Sequence, residues 1–233
     1  MLTGVEGLDQ ILHGGLIPRR AYLVRGGPGT GKTTLGIHCL LAGPHSESLF
    51  ITLGEAEEQL RFNAERSGLA MDNVAVLDVS PGQLSIADST YNLLESWDVE
   101  GNAIHDRILD YVREHRPKRI LIDSLSQMRY LSADAFQFRK QILSLLRTLT
   151  EEGATVIFTS EESDDGDEQA LPFLSDGVIS LEPTAHGRLC RITKFRGSGF
   201  AEGAHFYQLD ENGMTLHPRL IPNHFSAPTA IAK

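Results

Sequence analysis

Cysteine is scarce in this chain, with only Cys39 and Cys190 in 233 residues. That pair, at that spacing, builds neither a disulfide framework nor a cysteine metal site. Cys39 falls in an apolar, helix-patterned stretch, where a buried thiol is the plain reading. Long apolar runs are missing too, since none approaches the ~20 residues that span a bilayer. Met1 runs straight into a polar, glycine-bearing segment, unlike a secretory leader. These absences lead us to expect a protein of the reducing cytoplasm, away from membranes. Positive charge is also in deficit: 21 Lys and Arg face 31 Asp and Glu, for a formal charge of −10. A net field of that sign repels polyanions, although it leaves room for a local basic patch. There is no internal repeat and no low-complexity segment. The 41% hydrophobic content suffices for a sizeable core in one domain.

Glycine, by contrast, is placed with a pattern. Residues 26–33 read Gly26-Gly27-Pro28-Gly29-Thr30-Gly31-Lys32-Thr33, the G-x-x-x-x-G-K-[ST] spacing of a phosphate-cradling loop. The glycines let the backbone curl until successive N–H groups point at phosphate oxygens. Lys32 adds positive charge at the terminal phosphates, and Thr33 offers a hydroxyl to Mg²⁺. Ala21-Tyr22-Leu23-Val24-Arg25 before the loop reads as a strand, and Leu35 to Leu41 after it reads as a helix. The helix N-terminus then adds its partial positive charge. Strand, loop and helix in that order is the context that separates this motif from a glycine-rich turn matched by chance. The candidate nucleotide-binding residues are Gly27, Pro28, Gly29, Thr30, Gly31, Lys32, Thr33 and Thr34.

Beyond the loop, strand and helix patterns alternate. Leu49–Leu53, Val74–Val79, Ile120–Ile122 and Ala154–Phe158 read as strands, the third apolar at every position, as burial on both faces requires. Residues 56–67, 103–114 and 135–152 have helical periodicity, the last with Phe138, Ile142, Leu145, Leu146 and Leu149 on one stripe. Gly68 and Gly153 are placed to stop two of these helices, and Pro117 ends the other. Residues 80–101 have no clear period and read as a surface excursion. The order predicts a mostly parallel sheet covered by helices. The tail differs: Val178–Leu181, Arg188–Phe195, His205–Leu209 and Met214–Leu216 read as strands with no helix between them. We therefore expect antiparallel strands to extend one edge of the sheet. Residues 218–233 have the composition of a tail or linker, leaving residues 1–217 as one α/β domain.

Two carboxylates stand at strand ends. Asp123 directly follows Ile120-Leu121-Ile122, the pattern of a carboxylate that holds Mg²⁺ directly or through water. Ser124 could bond the same water shell. Glu55 lies just past the second strand, where the carboxyl ends of parallel strands line the ligand crevice. It could polarise an attacking water, or simply favour the start of the following helix. Thr159 and Ser160 end the fifth strand beside that crevice, where they could sense a terminal phosphate or satisfy the strand end.

These segments together resemble the KaiC branch of the RecA-like ATPases, over residues 2–217. The marks are Thr3-Gly4-Val5-Glu6-Gly7-Leu8-Asp9, Gly14-Gly15-Leu16, the loop at 26–33, Ile51-Thr52-Leu53-Gly54-Glu55, Ile122-Asp123-Ser124, Gly153-Ala154-Thr155, Ser175-Asp176-Gly177-Val178 and Lys194-Phe195-Arg196-Gly197. The resemblance implies a RecA-like three-layer fold, ATP with Mg²⁺ as ligands, and a homo-hexameric ring with ATP bound between subunits. It also implies that Lys194 and Arg196 reach the next subunit's γ-phosphate. Residues two apart on a strand share a side, so both can face one target, and a guanidinium there stabilises developing charge. Read without the resemblance, the same residues, with Arg188 and Arg191, form a solvated basic edge strand. Catalytic candidates are thus Glu55, Lys32, Asp123, Lys194 and Arg196, with Thr33 and Asp123 at the metal.

The chain also departs from the family pattern. Gly54 stands where the family often has the first of two glutamates, leaving Glu55 alone, and Ile17-Pro18-Arg19-Arg20 replaces the usual Pro-x-Gly turn. Pro172 and Phe173 occupy the positions of the clock proteins' phosphorylated Ser and Thr, so the domain resembles the ATPase half rather than the kinase half. A second domain in a longer gene product would fit the linker-like tail. Three functions compete. One is a slow ATPase that couples hydrolysis to ring conformation and a regulatory protein partner. Another is a RecA-like DNA-dependent ATPase. The last is an ATP-stabilised scaffold, or an autokinase if a second domain follows. The run Glu161-Glu162-Ser163-Asp164-Asp165-Gly166-Asp167-Glu168 would repel phosphates where a DNA motor needs cations, so nucleic acid is not an expected partner.

Overall fold

The computed structural model describes residues 1–80, 97–129, 132, 134–161 and 170–219. The first half runs α1 (Leu8–Ile11), β1 (Ala21–Gly26), α2 (Lys32–Leu41), β2 (Ser48–Thr52), α3 (Glu57–Arg66) and β3 (Ala75–Asp78). There follow α4 (Trp97–His115), β4 (Arg119–Asp123), α5 (Ser126–Arg129), α6 (Ala135–Glu151), β5 (Thr155–Glu161) and α7 (Leu171–Leu174). The chain closes with β6 (Gly177–Thr184), β7 (Gly187–Phe195), β8 (Ala204–Asp210) and β9 (Gly213–His217). The described strands form one sheet in the order β3-β2-β4-β5-β1-β6-β7-β8-β9. From β3 to β6 every pairing is parallel, and β7, β8 and β9 are added antiparallel. The antiparallel extension therefore begins one strand later than the tail pattern suggests, because β6 joins β1 in parallel, with Gly26 opposite Leu181.

Apolar side chains fill both faces of this sheet, as a largely parallel sheet demands. Alternation along β1 sends Tyr22 and Val24 to one layer, with Leu35, Cys39 and Leu40 of α2. Leu23 goes to the other, with Ile104, Ile108 and Val112 of α4 and the Phe138–Leu149 stripe of α6. Each such side chain, fully buried, contributes about 1.5–3 kcal/mol. The result is the expected three-layer arrangement. Asp134 caps α6 by accepting a hydrogen bond from the Gln137 N–H at 2.8 Å. Gly68 and Gly153 follow α3 and α6 with φ of +70° and +95°.

Some expectations need correction. Helix α4 starts at Trp97, so residues 97–101 are helical rather than an excursion. Gly101 and Asn102 are weak helix formers that hide the period, while the packed stripe C-terminal to them carries the helix. Residues 81–96 of that excursion, most of the acidic run (162–168) and the tail from 220 lie outside the described residues. Strand β5 continues to Glu161, so Thr159 and Ser160 lie within it. Helices α1, α5 and α7 have four residues each, too short to show a period.

One close approach positions the site. A Cβ at Gly36 would come within 2.5 Å of the Leu121 side chain. Without it, α2 lies tight against β4, and the N-terminus of α2 comes beside the C-terminal end of that strand. Arg119 holds the other end of α2, donating to the Cys39 and Ala42 carbonyls, which lack helical partners.

Candidate active site

The loop between β1 and α2 turns through glycine. Gly29 and Gly31 have φ of +69° and +90°, values that side-chain-bearing residues rarely adopt. A Cβ on Gly31 would also meet Leu209 and Met214 at 2.9 Å. Lys32 Nζ bends back over the loop and donates to the Gly26 and Gly27 carbonyls at 2.9 and 3.0 Å, which uses two of its three donors. Thr30 Oγ1 donates to the Gly27 carbonyl at 2.8 Å. Helix α2 then begins at Lys32, so its first N–H groups line the loop.

Asp123 meets this loop through side chains. Thr33 Oγ1 donates to Asp123 Oδ2 at 2.5 Å, and Thr159 Oγ1 donates to Asp123 Oδ1. The Asp123–Ser124 peptide bond is cis. Among the described residues, no three His, Cys, Asp or Glu side chains group as a metal site. One hydroxyl and one carboxylate beside a phosphate loop are hard oxygen donors. They suit Mg²⁺, which takes few protein ligands and keeps water and phosphate for the rest.

Glu55 borders the same space. It lies three residues past Thr52, which is opposite Asp123 in the β2–β4 pairing. The Thr52 hydroxyl fixes this turn, accepting from the Glu55 N–H at 3.1 Å and donating to the Glu55 carbonyl at 2.7 Å. A cavity of about 180 Å³ is lined by Thr33, Thr34, Glu55 and Asn63, among others. The Glu55 carboxylate does not cap α3, whose N-cap Ala56 has no side-chain bond. Its Oε1 accepts from Asn63 Nδ2 at 2.7 Å. At Gly54, the nearest atom to an added Cβ is Gln127 Nε2 at 3.6 Å, so a side chain has room there.

Lys194 and Arg196 lie elsewhere. The end of β7 near Cys190 is level with Gly26 through Leu181, whereas Phe195 is level with Tyr22 through Gly177. Lys194, level with Leu23 through Val178, is therefore about three residues, or roughly 10 Å, down the sheet from Gly26 at the start of its own P-loop. Buried Phe195, stacked on Tyr22 at 5.7 Å, sits between the two cations and turns them to the other side. Lys194 Nζ donates to the Pro172 and Ser175 carbonyls, and burial followed by the neighbouring Arg196 charge lowers its pKa. Arg196 lies past the strand and is 3.7 Å from Asp176, which also pairs with Arg20 at 3.4 Å. Arg191 faces Glu182 at 3.5 Å.

Two residues near the loop escape motif reading. Arg188 Nη1 donates to the Gly29 carbonyl and Tyr207 Oη to the Thr30 carbonyl, each at 2.7 Å. Burial raises the Tyr207 pKa. Only the basic character of β7 hinted at Arg188, and nothing local marked Tyr207.

The family model described as the KaiC ATPase matches residues 1–221. The circadian clock oscillator protein KaiC of Picosynechococcus sp. is 31% identical over 231 residues, covering 93% of this chain and 44% of the relative. The proteins of that name from Synechococcus elongatus and Parasynechococcus marenigrum are each 29% identical over 233 residues. They cover 94% and 93% of this chain, respectively, and 44% of each relative. The chain thus spans less than half the length of these relatives.

Proposed function

The chain belongs to the KaiC family of P-loop ATPases, and from that premise we propose that it binds ATP with Mg²⁺ at the loop 26–33 and hydrolyses it slowly. In this reading the sites lie at the subunit interfaces of a cytoplasmic hexameric ring. Hydrolysis there is coupled to ring conformation and to binding of a regulatory protein partner, as in signalling or clock-type control. The observation that carries the catalytic part is the convergence of the P-loop Thr33 with Asp123 at 2.5 Å beside a cavity that Glu55 also lines.

The roles follow from the chemistry of each group. Backbone N–H groups of Gly27 and of Gly29 to Thr34 surround the phosphates at the positive end of α2. Lys32 places its ammonium among them. Thr33 and Asp123 would hold Mg²⁺, which when bound draws charge from the phosphate oxygens. Glu55, with one oxygen engaged by Asn63, offers the other to the attacking water and takes its proton. Lys194 and Arg196 of a neighbouring subunit would meet the charge that develops on the transferring phosphoryl group. A lone glutamate, where the family often has two, fits slow turnover. Phe173 is 78% exposed but has no hydroxyl, and neither does Pro172, which disfavours autophosphorylation at these positions. We assign residues 1–217 to the ATPase domain and 218–233 to a tail or linker.

The test is phosphate release from Mg·ATP by wild type, Lys32→Ala and Glu55→Gln. Wild type should turn over slowly but above Lys32→Ala. Glu55→Gln should bind ATP yet fall to the Lys32→Ala background. Wild type that binds ATP and releases no more phosphate than Lys32→Ala would overturn hydrolysis in favour of a nucleotide-stabilised scaffold.

A further inference from the structure

The P-loop is open on one side at two of its glycines. A Cβ added at Gly27 or Gly29 would meet nothing within 4 Å, so no packing on that side holds these two residues, and their carbonyl hydrogen bonds carry the restraint. Fixing such a segment costs about 1–2 kcal/mol of conformational entropy per residue, and a ligand that must order it binds more weakly for that reason. The loop's own Thr30 and Lys32 side chains hold only the Gly26 and Gly27 carbonyls, so the Gly29 and Thr30 peptides need a restraint from outside the loop if their amides are to be set before phosphate arrives.

The antiparallel edge of the sheet supplies that restraint. Arg188 on β7 and Tyr207 on β8 face each other as cross-strand partners. Their donors reach consecutive carbonyls of the loop, Arg188 to Gly29 and Tyr207 to Thr30. The tyrosine is 3% exposed, and the Arg188 guanidinium also lies beside its hydroxyl. A hydroxyl so buried costs free energy unless it is bonded, so the Thr30 carbonyl and the Tyr207 hydroxyl hold each other in place.

We propose that Tyr207, supported by Arg188, is a positioning residue that aims the P-loop amides at the phosphates of a nucleoside di- or triphosphate. The reason lies in the peptide plane. In a trans peptide the C=O and the following N–H point in opposite directions. The Gly29 carbonyl shares its plane with the Thr30 N–H, and the Thr30 carbonyl shares its plane with the Gly31 N–H. Anchoring both oxygens on β7 and β8 turns both N–H groups away from those strands. The cradle is thereby held in shape by a part of the sheet that makes no contribution to the G-x-x-x-x-G-K-[ST] pattern. This inference rests on the reading of the loop as the phosphate site.

Tyr207→Phe is the decisive variant, because it removes one hydroxyl and no charge. Arg188→Gln is the companion, with a shift that includes the lost charge. ATP and ADP dissociation constants, saturating kcat and thermal midpoints are measured alongside Lys32→Ala. We expect Tyr207→Phe to weaken both nucleotides about five- to tenfold while saturating kcat stays within about twofold of wild type. Arg188→Gln should weaken them at least as much. A merely structural hydroxyl would lower the thermal midpoint and leave the affinity of the folded protein unchanged. If Lys32→Ala loses affinity and neither Tyr207→Phe nor Arg188→Gln does, the positioning role is wrong and the phosphate site stands. If Lys32→Ala also binds like wild type, the phosphate site itself is wrong and this inference goes with it. A loss confined to kcat would likewise overturn it.

Discussion

Thr33 Oγ1 donates to Asp123 Oδ2 at 2.5 Å, joining residues 90 apart in sequence. The bond ties the first turn of α2 to the end of β4, and Thr159 Oγ1 holds the second carboxylate oxygen. Asp123 therefore accepts from hydroxyls on both sides. An asparagine of the same size accepts at one atom and donates at the other, and a threonine hydroxyl can rotate to accept. Asp123→Asn should accordingly fold, with a thermal midpoint within a few degrees of wild type. What it loses is the negative charge at the proposed cation site. We expect Mg²⁺-dependent phosphate release to fall by about 10²-fold or more, measured beside the melting curve.

The parts of this site that local sequence encodes were legible, and the parts made by tertiary approach were not. The loop at 26–33 depends on φ values that glycine alone adopts readily, so its residues are nearly diagnostic. The place of Asp123 was legible because it directly follows the apolar run Ile120-Leu121-Ile122 and so ends a buried strand. Arg188 and Tyr207 were not, because their roles follow from the register of β7 against β8 and from a loop more than 150 residues away in sequence. The same holds for Asn63, whose partner Glu55 is eight residues earlier in the turn before α3, so no single element's period relates the two. In the fold, long stripes such as Phe138–Leu149 read correctly, whereas the turn-length helices at 8–11, 126–129 and 171–174 did not.

His38 gives the fold a pH dependence. Its Nε2 accepts from the Met214 N–H at 2.9 Å, tying α2 to β9, and only a neutral imidazole can accept there. Burial lowers its pKa from the ordinary value of about 6.5, against a smaller opposing effect of the Gly4 backbone. Below about pH 6.5 the unfolded chain binds a proton that the folded chain refuses, so stability rises with pH through that window. The contribution is complete above about 6.5 and is lost as pH falls toward the depressed folded value. The loss is at most about 1.4 kcal/mol per pH unit. Urea midpoints at pH 7.5 and 5.5 should separate more in wild type than in His38→Gln, which keeps an acceptor but does not titrate. Equal separations would refute the assignment.

Arg116 is a site where an unusual substitution should stabilise. It follows α4 with φ of +49°, and its N–H closes the helix on the Val112 carbonyl at 2.8 Å. That is the left-handed C-terminal position usually taken by glycine. An L side chain there costs roughly 1–2 kcal/mol, part of which glycine returns as greater unfolded-state entropy. Arg116→Gly should raise unfolding free energy by about 0.5–1 kcal/mol by urea titration, with phosphate release unchanged. A lower midpoint would mean that the exposed arginine makes contacts worth more than its strain.

Lys194 and Arg196 decide whether the proposed chemistry is shared between subunits. Both stand near the end of β7 that is level with the start of β1, away from their own P-loop. If they act, they act on a neighbour. Lys32→Ala and Arg196→Ala should each be inactive alone, the first for want of phosphate contacts and the second for want of the trans cation. In a ring assembled from equal parts of both, a working site needs an intact loop from one subunit and an intact arginine from the next. Random mixing satisfies that at about a quarter of the interfaces in a head-to-tail ring. The two variants, combined before nucleotide is added, should therefore recover roughly a quarter of wild-type phosphate release. A cis arginine predicts no recovery at all, because every subunit in the mixture lacks one half of its own site.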